Sequence, residues 1–137
     1  RLREFLFSIL RGPAGEQLRR RLGKESRISR IVGYLRENLA EPLAVDDLAR
    51  QAGMSRAVFH RRFKEATSQS PLQFIKALRL NVAAMLITQG LNGGTAARRV
   101  GYSNPSQFSR EFRRQFGHPP REWRALNTDM DVQASVP

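Results

Sequence analysis

The sequence predicts an all-α protein in which two helix–turn–helix units are joined by one long helix. Three observations carry that prediction. Apolar residues recur at helical spacing along most of the chain, and no alternating strand pattern is found. A segment around 49–63 recurs around 97–112, with its glycine, serine and phenylalanines in step. Between the copies lies an uninterrupted striped stretch from Pro71 to Gln89.

Taken in order, residues 4–10 form a short apolar segment and "GPAG" at 12–15 breaks it. The basic-then-apolar start is superficially like a signal peptide. Ser8 interrupts the apolar run, Arg11 ends it and no small-residue cleavage site follows, so a packed helix is expected. A second short helix is expected over 16–22. The first residue is arginine rather than methionine, which suggests a longer protein cut at this point. From Glu25 to Ala40, Ile28, Ile31, Val32, Leu35 and Leu39 share one helical face, with Arg27, Arg30, Arg36 and Glu37 on the other. Pro42 is expected to end that helix.

Val45, Leu48, Ala49 and Ala52 mark a short helix, with Asp46 and Asp47 favourably placed in its first turn. Ala44 makes a weak cap for it, and Gly53 ends it. Ser55 is a good cap for "RAVFHRRFKEA", which should bury Phe59, Phe63 and Ala66. "TSQSP" breaks the pattern, and Pro71 suits the first turn of the long helix. The expected stripe of that helix is Leu72, Ile75, Leu78 or Leu80, Val82, Met85 and Leu86. Nearly twenty residues make a rod of roughly 28 Å. "GLNGG" separates it from the short helix "TAARRV" and Gly101. In "VGYSNPSQFSREFRRQF", Phe108, Phe112 and Phe116 stand four residues apart. Pro105 falls in the first turn of that helix, where it costs no hydrogen bond. "GHPP" and a last amphipathic turn around "REWRAL" follow, and the tail over 127–137 is expected to be disordered.

The two copies align closely. Ala49 pairs with Ala97, Gly53 with Gly101 and Ser55 with Ser103. One inserted residue later, Phe59 pairs with Phe108, Arg61 with Arg110 and Phe63 with Phe112. Helix, glycine turn, helix is the helix–turn–helix pattern. The small alanine permits a close crossing, the glycine permits the positive φ of a tight turn, and the phenylalanines anchor the second helix from beneath. A generic helical hairpin is the alternative for one copy; two copies in so basic a chain argue against it.

The chain has 137 residues and a formal net charge of +12, with arginine far outnumbering lysine. That charge points to nucleic acid, an anionic membrane or an acidic protein as partner, or simply to an arginine-rich solvated surface. There is no cysteine, which excludes disulfides, zinc–thiolate sites and cysteine nucleophiles. No apolar run reaches membrane-spanning length. No cofactor or metal site is expected. His60 and His118 have no third ligand nearby, and no histidine–carboxylate pair at catalytic spacing is seen, so an enzyme is not expected.

The exposed faces fit a nucleic acid. Ala57, His60, Arg61 and Lys64 stand at i, i+3, i+4 and i+7, and Ser106, Ser109, Arg110 and Arg113 repeat the spacing. A helix fits the major groove, where arginine can grip guanine and a short apolar side chain can touch a thymine methyl. Arg56, Arg62, Arg98, Arg99 and Arg114 are better placed for phosphates. Tyr34, Tyr102 and Trp123 could stack on bases, but each lies on or beside an apolar stripe and core packing is expected. A non-specific or single-strand binder would want exposed aromatics in a groove. A membrane-surface role is weakened by arginines spread over several helices.

These residues resemble the DNA-binding region of AraC-family transcription regulators. "LAVDDLARQAGMSRAVFHRRFKEATSQSPLQFIKALRL" is similar to the family's first helix–turn–helix and linker helix, and "AARRVGYSNPSQFSREFRRQFGHPPREWR" to its second. The resemblance covers residues 26 to 126. It implies a homeodomain-like pair of subdomains over 25–70 and 91–126, a linker helix over 71–90, and residues 1–24 as a connector from a missing N-terminal effector and dimerisation domain. It implies two recognition helices, about 55–66 and 104–116, in successive major grooves about 34 Å apart on double-stranded DNA. Carried over by position, base readers are Ala57, His60 and Arg61, then Pro105, Ser106, Ser109 and Arg110. Arg56, Arg62, Lys64, Arg113 and Arg114 would hold phosphates. Ala57 and Pro105 stand where relatives often carry larger readers, so Arg61 and Arg110 should dominate. Ser68 stands where the family has glycine, opposite Gly117, and should carry strain if left-handed. Gly93 and Gly94 open a helix at about 1 kcal/mol each, so the second unit should be the less stable. The resemblance also implies RNA polymerase as a partner, a small-molecule effector only through the missing domain, a monomeric fragment of a dimeric protein, and a bacterial cytoplasmic location on the nucleoid.

Overall fold

The computed structural model describes residues 27–126, and the expectations for 1–26 and for the tail over 127–137 lie outside them. The described residues are helical, with no strand among them. The helices are α1 (Arg27–Glu37), α2 (Val45–Gln51), α3 (Arg56–Thr67), α4 (Pro71–Thr88), α5 (Gly93–Arg99), α6 (Pro105–Phe116) and α7 (120–126). Two compact units divide between Leu78 and Arg79, inside α4.

In the first unit, α1 buries Ile28, Ile31, Val32 and Leu35. It ends at Glu37, well before Pro42, because the Asn38 side-chain amide donates to the Tyr34 carbonyl (2.9 Å) and closes the last turn. Leu39 is still buried, outside the helix. Helix α2 buries Leu48 and Ala49 and has no side-chain cap at Ala44, as its sequence implies. Gly53, at φ 67°, makes the turn, and Ser55 accepts from the Val58 amide to start α3. Phe59 and Phe63 are wholly buried, with ring centroids 5.6 Å apart. Phe63 meets Phe74 of α4 edge-on at 5.2 Å.

Two expectations are corrected. Ala66 is only half-buried, and Thr67 takes its place: its hydroxyl lies 2.9 Å from the Phe63 carbonyl and accepts from the Gln69 amide. A buried threonine is tolerated because its hydroxyl is satisfied by the backbone that ends the helix. The stripe of α4 is also rotated from the expected one. Phe74, Ile75, Ala77, Leu78, Leu80, Ala83, Ala84 and Ile87 are buried, whereas Leu72 is 54% exposed and Val82, Met85 and Leu86 are half-buried. A helix that serves two cores in succession needs no single straight stripe, so the spacing of its apolar residues misleads. Ser70, rather than any residue inside the helix, caps it by accepting from the Gln73 amide (3.3 Å).

The second half of α4 plays the part in unit two that α1 plays in unit one. Leu80, Ala83, Ala84 and Ile87 repeat the spacing of Ile28, Ile31, Val32 and Leu35, and all are buried. With Ala96, Ala97, Val100, Phe108 and Phe112 they form one core, against which Tyr102, Phe116 and Trp123 pack. Gly101, at φ 100°, makes the second turn. The inserted residue moves the cap: Asn104, not Ser103, accepts from the Gln107 amide, and Pro105 follows at the helix start.

Ser68 ends α3 in the left-handed region (φ 64°), where its counterpart Gly117 sits at 82°. Ser68→Gly removes the clash of Cβ with the following carbonyl at the cost of a looser unfolded chain. It should stabilise the first unit by about 0.5–1 kcal/mol, read as a higher denaturation midpoint.

The helix that opens with Gly93 and Gly94 carries a side-chain cap. Asn92 accepts from the Thr95 amide at 2.8 Å, a cap that α2 lacks. A Cβ at Gly93 would stand 3.2 Å from Pro120, so this glycine also allows α7 to approach. Asn92→Ala should cost about 1 kcal/mol and drop hydrogen-exchange protection over 93–101 below that over 45–53. Unchanged protection in the variant would show the cap to be idle.

Candidate nucleic-acid interface

Helices α3 and α6 present matched surfaces. On α3, Arg56, Ala57, His60, Arg61, Arg62 and Lys64 are exposed. On α6, Pro105, Ser106, Ser109, Arg110, Arg113 and Arg114 are exposed. Every residue expected to read bases or hold phosphates therefore lies on the surface of its own unit. The rotation that exposes them is set from below. Phe108 and Phe112 are buried at 5.6 Å, Phe116 stacks at 4.6 Å from Phe112, and Trp123 closes on both at 5.7 and 4.8 Å. Tyr102 and Trp123 are half-buried and pack against this core, as their place beside apolar stripes implies. Such aromatic clusters hold ring geometry as well as burying area.

Not all the cations are idle. Arg56 pairs with Asp46 across the turn at 3.5 Å, with both side chains largely exposed. An exposed pair of this kind contributes at most about 1 kcal/mol, so the guanidinium can exchange it for a phosphate. Arg50 pairs with Asp47 one turn back, and Arg98 donates to the Thr95 hydroxyl. Arg99 is exposed.

Sequence reasoning missed the residues that brace α3 and α6. Arg27, expected on the outward face of α1, donates to the carbonyls of Ala52 and Gly53, each at 3.4 Å. A guanidinium there satisfies carbonyls at the C-terminal end of α2, where positive charge is favoured. In the second unit the Tyr102 hydroxyl donates to Glu111 Oε2 at 2.6 Å and ties the turn to α6. Tyr102 also meets Phe108 edge-on at 5.2 Å. Burial, then the hydrogen bond and charge of Glu111, push the Tyr102 phenol well above its ordinary value, with Arg79 opposing. Burial lowers the Arg79 guanidinium, against the favourable fields of Tyr102 and Glu111. The available signal was Glu111 itself, an acid within a helix otherwise armed with arginine.

His118 Nδ1 lies 3.6 Å from Glu122 Oε2, four residues on, an about half-exposed ion pair beyond hydrogen-bond reach. The proline turn brings them together by starting α7 two residues after His118. Among the described residues no group of three or more potential metal ligands gathers. No described helix is long and apolar enough to cross a membrane.

Residues 48–126 match the family model described as a helix-turn-helix domain. The chain is 38% identical over 85 residues to the transcriptional regulator AlkR of Acinetobacter baylyi, covering 61% of this chain and 28% of that protein. It is 32% identical over 100 residues to the transcriptional activator RhaS of Escherichia coli, covering 72% and 36%. The chain therefore spans only 28% to 36% of the length of these curated relatives. Among solved structures, it resembles the DNA-binding domain of the global transcriptional factor AdpA in complex with a target DNA. The TM-score is 0.71 at 32% identity, with 78% of this chain and 97% of that one covered. An AraC-type regulator from Chromobacterium violaceum gives a TM-score of 0.68 at 33% identity, covering 75% and 93%.

The Tyr102–Glu111 contact predicts an alkaline weakness. Above about pH 10 an unfolded tyrosine loses its proton while folded Tyr102 keeps it. The folded state then binds more protons, so stability falls as pH rises from there and is unaffected at neutral pH. Denaturation followed from pH 8 to 12 should show that decline, and Tyr102→Phe should flatten it while costing about 1–2 kcal/mol at pH 7.

Proposed function

Because the chain belongs to the AraC family of helix-turn-helix transcription regulators, we propose that it binds double-stranded DNA sequence-specifically, with α3 and α6 entering successive major grooves. One observation carries this most directly: both helices are pinned by wholly or almost wholly buried phenylalanines and turn a matched set of exposed polar and cationic side chains outward. Arg61 and Arg110 occupy equivalent positions and are the principal base readers, each able to fork onto O6 and N7 of a guanine. His60, Ser106 and Ser109 add single hydrogen bonds, and Ala57 and Pro105 offer small apolar contacts. Arg56, Arg62, Lys64, Arg113 and Arg114 hold phosphates and fix register, as contacts to the backbone do.

In the whole protein this region would be the DNA-binding part of a bacterial regulator working in the cytoplasm, not an enzyme. RNA polymerase would be its downstream partner. A small-molecule effector and dimer contacts would be supplied outside this chain, which by itself would be monomeric.

Selection from random duplexes should return two half-motifs about one helical turn apart. Arg61→Ala and Arg110→Ala should each weaken binding to the selected site by about 1–3 kcal/mol and relax preference in one half-motif. Losses of the same size on random duplex would refute the base-reading roles. For the parent chain, log affinity should fall with log salt by about 0.9 per phosphate neutralised.

A further inference from the structure

Leu72 is one of two large apolar side chains exposed among the described residues, at 54%. It stands in the first turn of α4, after the cap at Ser70. With Val45, Ala57 and Pro71 it lines an open hollow of about 590 Å³, with Arg56 and His60 beside them. All six residues belong to the first unit. Ala57 contributes only a methyl group to that lining, so a longer side chain there would project into the hollow. Arg61 and Lys64 are exposed on the same helix.

An apolar floor beside an exposed guanidinium is a specific chemical demand. A phosphate would use Arg56 and leave Leu72 and Val45 in water. A purely apolar ligand would make no use of Arg56, whose pair with Asp46 is exposed and exchangeable. The edge of a DNA duplex satisfies both, because the 5-methyl of thymine is the apolar group on the major-groove edge of the base pairs, and phosphates flank it. We propose that this hollow receives one thymine methyl in the site read by α3, with Leu72 closing over it from α4. Selectivity beside Ala57 then comes from burying a methyl group rather than from a hydrogen bond. This inference rests on the DNA-binding function proposed above and names a further specificity-determining residue for it.

The probe is deoxyuridine, which pairs as thymine does and lacks only the methyl. The half-motif read by α3 is identified as the one relaxed by Arg61→Ala. Each thymine in it is replaced singly by deoxyuridine, and the duplexes are titrated with the parent chain, Leu72→Ala and Ala57→Leu. One replacement should weaken the parent chain about fourfold, the worth of one buried methyl group. The same replacement should cost Leu72→Ala less than about twofold, and Ala57→Leu, which puts a bulkier side chain where the methyl would sit, should bind thymine and uracil duplexes alike. Leu72 is exposed, so its truncation leaves the core intact, and circular dichroism checks both variants. A flat uracil scan in a parent chain that still binds its site overturns the methyl site alone. A thymine penalty undiminished in both variants also overturns it, since the contact then lies elsewhere. Failure of the parent chain to bind any duplex overturns the DNA-binding proposal itself.

Discussion

Each unit hangs on a pair of phenylalanines four residues apart on one side of a helix. Phe59 and Phe63 are wholly buried, and so, within 2%, are Phe108 and Phe112. Once two such rings are sunk in a core, the helix can neither rotate nor slide without tearing out several kcal/mol of buried area. The opposite face is then fixed as well. Other features follow from seating those rings. Ala49 and Ala97 are buried and small, so the preceding helix can cross closely. Gly53 and Gly101 adopt positive φ, so the chain can turn within a few residues. The Phe–Phe distances of 5.6 Å in both helices show the same solution reached twice.

The units differ in how they brace that arrangement. The first uses a cation on backbone: Arg27 reaches the carbonyls at the end of α2. The second uses a side-chain contact, Tyr102 to Glu111, with Arg79 in the same electrostatic neighbourhood. Arg27 and Arg79 each stand one residue before the buried aliphatic that opens the matching stripe of their unit, Ile28 and Leu80. The second brace is the more polar, and it places a titrating phenol where the first unit has Met54. Helix α4 serves both cores in turn, which is why its apolar pattern has no single face and why the division between units falls inside it.

For recognition, the consequence is a surface rich in charge and poor in large readers. Arginines outnumber every other candidate contact, so phosphate attraction would supply much of the affinity and two equivalent arginines most of the base preference. Ala57 and Pro105 offer no hydrogen bond. Ala57 lines a hollow floored by apolar groups from α2 and α4.

The sequence by itself determined the helical class, the repeat, the turns at Gly53 and Gly101, the buried phenylalanines and the exposed faces of α3 and α6. Those features are local: a 3.6-residue period, a cap or a glycine acts within a turn or two of itself. The strain at Ser68 was legible for the same reason, through its match with Gly117. What the tertiary structure alone decided depends on residues distant in sequence. Leu72 looks like a core residue by spacing, but with Phe74 and Ile75 taking the core side it is left outside. Arg27 looks like a solvated charge until the carbonyls at 52 and 53 arrive beside it. Gly93 looks like a helix weakness until Pro120 is packed against it. In each case the deciding neighbour lies outside the local pattern, and local periodicity carries no information about which distant group will fill the adjoining space.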